Sequence, residues 1–120
     1  MANREYRELM FFQKSHELTL EIYQLTKVFP KDEVYGLISQ LKRASCSIAS
    51  NIAEGSVRKS KKEYLHFLHI ALGSAKEIEY QLLLAKDLNY ISLEVYTELI
   101  KKLDIIIGSL TNYMKKIDIE

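Results

Sequence analysis

"NIAEGSVRKSKKEY", residues 51–64, holds a helix stop, a loop and a helix start in fourteen positions. Glycine takes the left-handed conformation that follows a helix C-terminus without a Cβ clash, so Gly55 predicts the end of a helix at Glu54. Five residues on, "SKKE" reads as a capping box. The Ser60 hydroxyl accepts from the Glu63 amide while the Glu63 carboxylate reaches back to the Ser60 amide. "SVRK", residues 56–59, is then the loop. Turn chemistry accounts for the glycine and the serine. It leaves the four cations Arg58, Lys59, Lys61 and Lys62 unexplained.

Periodicity extends this stop and start in both directions. Upstream, Val34, Leu37 or Ile38, Leu41, Ala44 or Ser45, Ile48 and Ile52 recur at three and four, which predicts a helix over 33–54 with Asp32 as candidate cap. Before it, Phe11, Ser15, Leu18, Ile22, Leu25 and Phe29 predict a helix over 11–29, ended by Pro30, which forces its predecessor out of the helical region. Downstream, Tyr64, Phe67, Leu68, Ala71, Ala75, Ile78, Leu82 and Ala85 define a helix over 61–88. Ser92 caps a fourth over 93–118, whose face is Tyr96, Leu99, Leu103, Ile106, Leu110, Tyr113 and Ile117. A second stripe on that helix, Ile100, Ile107 and Met114, is wider than one neighbour needs and predicts a further contact outside the chain. One proline and four glycines in 120 residues agree with long helices. The expected fold is all-α: an antiparallel up-and-down four-helix bundle, one domain over 1–120.

The chain is 48% hydrophobic, enough for one core and too short for a second domain. Its single cysteine, Cys46, excludes an internal disulfide and is expected to pack as a small core hydrophobe in a reducing compartment. The start, "MANREYRELM", places four charges before any apolar run, and no stretch approaches the roughly 18 uncharged apolar residues of a membrane span. A soluble, cytoplasmic protein without a membrane partner is expected.

Catalytic chemistry finds no foothold in the residue pattern. Glu63 and His66 match the Glu-x-x-His element of di-iron bundles, but that centre needs a second such pair and two further glutamates. The remaining histidines, His16 and His69, do not supply them. There is no Gly-rich phosphate loop, no cysteine cluster and no nucleophile with an evident base. No enzyme, metal or cofactor is therefore expected.

Charge is informative through its distribution. The net charge is only +1, yet the span from Lys42 to Lys62 carries Lys42, Arg43, Arg58, Lys59, Lys61 and Lys62 against Glu54 alone. These six residues are the candidate nucleic-acid contact. Lys61 and Lys62 fall in the first turn of a helix, where the dipole disfavours cations, and that mismatch suggests service to a partner. A second polar pattern runs beside the apolar stripe of helix two, in Gln40, Arg43, Ser47, Asn51, Glu54 and Arg58. Glu63, Ser74, Glu77 and Gln81 answer it on helix three, giving either an exposed flank or a polar network or subunit contact, with Arg43 and Glu77 as its test pair.

The runs "QLKRASCSIASNIAEG" and "FLHIALGSAKEIEYQL", residues 40–55 and 67–82, resemble the signature of the small bundle proteins encoded in intervening sequences of bacterial 23S ribosomal RNA genes. The family pattern falls on Gln40, Lys42, Arg43, Ser47, Ile48, Asn51, Glu54, Gly55, Gly73, Ser74, Glu77 and Gln81. Lys42 stands where arginine is usual and Ala49 where proline is common. Relatives include the accessory variability determinant of diversity-generating retroelements, a pentameric barrel that binds nucleic acid through basic surface. The resemblance implies a homo-oligomer, with a pentamer favoured. Two roles follow: contact with RNA or DNA through the basic junction of helices two and three, or a homo-oligomeric adaptor that binds protein.

Overall fold

Pro30 sets the first boundary. In the computed structural model, which describes residues 5–120, Phe29 is extended at φ −71° and ψ 154°, as a residue before proline must be. Helix α1 spans Met10–Leu25, and a 3-10 turn over Thr26–Val28 tightens its end, so the α-helix stops short of the predicted residue 29. Helices α2 (Leu37–Ser56), α3 (Lys61–Asp87) and α4 (Leu93–Ile119) follow, with further 3-10 turns at Tyr6–Glu8 and Lys31–Glu33. No strand occurs among the described residues. The charged start, residues 1–4, lies outside them.

Each helix packs against its neighbours in chain order, and α4 returns to α1, closing the ring of an antiparallel four-helix bundle. The longest helices have 27 residues, and at 1.5 Å per residue these reach roughly 40 Å. That length sets the long dimension of a body 46 × 25 × 20 Å. The predicted stripes meet inside. Leu18, Ile22, Leu41, Ile48, Ile52, Leu68, Ile78, Leu82, Leu103, Ile106 and Leu110 are almost fully buried. Tyr64 is buried as well, and its hydroxyl is satisfied by Tyr113 at 2.9 Å, as a buried phenol requires.

The helix ends differ from expectation in instructive ways. Helix α2 begins at Leu37 because residues 31–33 form a 3-10 turn instead of its first turn. Its N-cap residue is Gly36, and the side-chain acceptor at this end is Glu33, whose Oε1 accepts from the Leu37 amide at 3.0 Å; Asp32 is not the cap. Gly55 lies inside the last turn of α2 and has no positive φ, so it is not a left-handed stop. It is needed for proximity. A Cβ there would come within 2.8 Å of Phe67 Cβ and 3.2 Å of Tyr64 Cδ1, so α2 and α3 approach too closely for any side chain.

Ser60 is extended and its Oγ accepts from the Glu63 amide at 3.1 Å, the first bond of the expected capping box. Ser92 caps α4 in the same way through the Val95 amide at 3.1 Å. At the end of α3 the left-handed residue is Asn89, at φ 64°. The Tyr90 amide returns to the Ala85 carbonyl and the Asn89 amide to Lys86, both at 2.9 Å, the paired bonds of a Schellman ending.

Candidate functional site

Two seams on the bundle surface carry the chemistry that the core does not use. The first lies between α2 and α3 and is polar. Arg43 Nη2 meets Glu77 Oε2 at 2.6 Å and also donates to Gln40 Oε1 at 3.0 Å. One turn along, Ser74 Oγ donates to Ser47 Oγ at 2.8 Å, while Asn51 Nδ2 reaches the Ser47 carbonyl at 2.8 Å and its hydroxyl at 3.0 Å. Glu54 pairs with Arg58 at 2.9 Å, and the Arg58 guanidinium stacks over the Phe67 ring. The three-and-four spacing on each helix thus becomes a ladder of rungs across the seam.

Energetically the ladder is modest. Arg43 and Glu77 are each about half exposed, and exposed pairs contribute roughly 0.2–1 kcal/mol. Gln81 is the exception in this set. It is only 8% exposed, and its Oε1 is buried with no hydrogen-bond partner among the described residues. Glu63 gives only its backbone amide to Ser60 and stays exposed at the start of α3.

The six cations of the sequence cluster separate into two groups. Lys42 Nζ sits 4.9 Å from the centroid of the Tyr23 ring, Arg43 and Arg58 belong to the ladder, and Lys61 Nζ donates to the Asp118 and Glu120 carbonyls at 3.1 and 2.9 Å. Lys61 therefore neutralises the carbonyl end of α4. Its position in the first turn of α3, read from sequence as a mismatch, has an intramolecular reason. Only Lys59 and Lys62 are exposed without an ion-pair or hydrogen-bond partner among the described residues. Lys62 lines a concavity of about 540 Å³ with Arg58, Ser60, Glu63, His66 and Phe67.

The second seam, between α1 and α4, is an apolar furrow of about 580 Å³ walled by Leu20, Leu25, Val28, Val95 and Leu99, with Glu21, Gln24 and Glu98 at its rim. Lys102 bridges it, at 2.7 Å from Glu21 and 3.7 Å from Glu98, and the bond to Glu21 holds the ammonium above its ordinary pKa. A smaller hollow of about 100 Å³ continues the seam beside Lys14, Glu17 and Ile105. Sequence reading missed this surface because it followed the core stripes. The available signal was the set of large apolar residues off those stripes: Leu20 is 56% exposed, Val28 78% and Ile105 51%.

The stripe expected to face outward does not. Met114 is buried and Ile100 and Ile107 are half-buried against the chain's own core, so the breadth of the α4 face is used within the bundle. Cys46 is half-buried between α2 and α1, its Sγ 3.4 Å from the Tyr23 hydroxyl, instead of in the core. Among the described residues no three histidine, cysteine, aspartate or glutamate side chains gather closely enough to hold a metal ion, and no helix is long and apolar enough to cross a membrane.

Fold and seams together define a small antiparallel helical bundle whose chemistry lies on its flanks. The chain belongs to the family of 23S rRNA-intervening sequence proteins, whose family model matches residues 7–112. It is similar to a crystal structure from Bacteroides thetaiotaomicron VPI-5482, described as a protein with unknown function from the S23 ribosomal protein family. The two share 28% identity at a TM-score of 0.79, over 88% of this chain and 99% of that one. No curated protein matches the chain.

Proposed function

We propose that the protein is a non-enzymatic, cytoplasmic bundle that assembles with copies of itself, five in the arrangement implied by its family resemblance, and works as a protein-contact module. The observation that carries this reading is the furrow between α1 and α4. Single exposed apolar residues are ordinary on soluble proteins. A lined apolar concavity with a carboxylate rim is a surface that gains by being covered. Sedimentation of the wild-type chain at micromolar concentration tests the reading: a mass several times 14.0 kDa supports it, and a monomer defeats it.

A second reading, contact with RNA or DNA, is favoured by Lys59 and Lys62 beside the concavity that holds Arg58, His66 and Phe67. Cations next to an aromatic ring suit phosphate and base together. Phosphate contacts release counterions, so retention of RNA on a filter would fall steeply with salt. Changing Lys59 and Lys62 to glutamine would flatten that dependence. Equal retention by wild type and variant across the salt series removes nucleic acid from the account.

A further inference from the structure

We infer that the concavity at the α2–α3 junction takes an unpaired nucleotide, its base stacked on the Arg58 guanidinium and its phosphate held by Lys59 and Lys62, so that the protein binds single strands in preference to duplex. This rests on the nucleic-acid reading above and names the form of nucleic acid that the site accepts.

The stack is built by the fold before any ligand arrives. Helix α2 ends at Ser56, and the Arg58 amide returns to the Gly55 carbonyl at 3.0 Å, which fixes the backbone beside the start of α3. The missing Cβ of Gly55 lets Phe67 come close. The Arg58 guanidinium lies over the Phe67 ring, its carbon 4.7 Å from the centroid, while Glu54 Oε1 accepts from its Nη2 at 2.9 Å. One face of a planar cation thus rests on a ring and one edge on a carboxylate. The Arg58 side chain still keeps 37% exposure, so the plane covers Phe67 and also meets solvent. A guanidinium stacks on aromatic faces as an ammonium does not, and every base has such a face.

Size and charge agree with this occupant. The concavity, about 540 Å³, lies within the roughly 300–1,000 Å³ of small-ligand sites and admits a nucleotide. In a duplex the base faces are covered by their neighbours, whereas the bases of a single strand can splay out and stack on an arginine plane. Glu63 lines the same wall and repels phosphate, which leaves the phosphate to Lys59 and Lys62. Both lysines are exposed and neither has an ion-pair or hydrogen-bond partner among the described residues. Base and phosphate therefore have separate partners. Attraction of phosphate alone needs only the lysines and would hold strand and duplex alike; the plane of Arg58 adds something that only an unpaired base can use.

Filter retention of a single-stranded RNA of about 12 nucleotides, of the same strand annealed to its complement, and of a DNA strand of the same sequence tests this. Arg58→Lys keeps the charge and removes the plane. Wild type should hold the single strand more tightly than the duplex. Arg58→Lys should weaken the single strand roughly tenfold, the worth of a stacked base, with duplex retention and the salt slope unchanged. Changing Lys59 and Lys62 to glutamine should do the reverse, flattening the salt dependence of both forms while the preference for the single strand persists. Whichever strand, RNA or DNA, shows the loss with Arg58→Lys is the ligand, and loss in both means that the sugar is not read. Helicity and thermal midpoint check that the variants keep the bundle, and the comparison of strand with duplex on wild type needs no variant. Equal wild-type affinity for strand and duplex, or a folded Arg58→Lys that holds the strand as wild type does, overturns the stacked base while contact with nucleic acid stands. Retention of none of the three by wild type removes both.

Discussion

The Lys61 ammonium, in the first turn of α3, donates to the Asp118 carbonyl at the end of α4, 57 residues away. Two helix termini thus make opposing demands on one side chain. The positive end of α3 disfavours a cation by a few tenths of a kcal/mol, while the carbonyl end of α4 favours one by a similar amount and adds hydrogen bonds. With two carbonyls within 3.1 Å, the second demand should win. Lys61→Glu, which the α3 dipole alone would reward, is expected to lower stability by roughly 0.5–1 kcal/mol, measured as a lower urea midpoint. A raised midpoint would show that the α3 terminus dominates.

Gly55 offers a sharper contrast. A methyl group there would press against Phe67 and the Tyr64 ring, both on a neighbouring helix whose backbone cannot easily retreat. Gly55→Ala should therefore destabilise the bundle by roughly 1–3 kcal/mol despite alanine's better helix propensity. If the position were only a left-handed stop with open space, thermal unfolding of the variant would show a smaller loss accompanied by a change confined to the helix end.

Ser60→Ala should lower stability by roughly 1 kcal/mol through loss of the bond from the Glu63 amide. Ser60→Asp, which retains an acceptor, should recover most of it. Failure of aspartate to rescue would place the effect elsewhere than the cap.

The bundle was legible because its stripes repeat at three and four, and because Pro30, Ser60 and Ser92 act through local chemistry visible in the letters. Gly55 was misread since a close approach and a left-handed stop both call for glycine, and only the neighbouring helix distinguishes them. Lys61 was misread for a related reason: its partner carbonyls lie at the other end of the chain. The rungs of the α2/α3 seam follow from spacing once the two helices are known to be adjacent, which is how Arg43 and Glu77 can be paired from sequence. The α1/α4 furrow was hidden because it joins the stripe residues Leu25 and Leu99 to the off-stripe Leu20, Val28 and Val95, on two helices some 70 positions apart.

The last prediction concerns pH and the end of the bundle opposite Ser60. Glu33 is held below its ordinary carboxylate pKa of 4.5, first by the bond from the Leu37 amide and then by the bond from the Tyr90 hydroxyl. One carboxylate thereby caps α2 and ties the α1–α2 link to the residue after Asn89. A folded-state pKa below the unfolded one means that the ionised form stabilises the fold. That contribution is fully present above the ordinary pKa and is lost as pH falls through the depressed value. Tyr90 carries the opposite sign: the same bond raises its pKa, so its contribution persists through neutral pH and is lost only in strong base. Between pH 7 and pH 3 the wild-type melting temperature should fall, while Glu33→Gln should start lower and fall less over the same interval. Tyr90→Phe should lie between them, because it removes the hydroxyl bond and leaves the amide bond. Parallel acid profiles for wild type and Glu33→Gln would show that carboxylates other than Glu33 set the acid sensitivity, and that this cap does not hold the two links together.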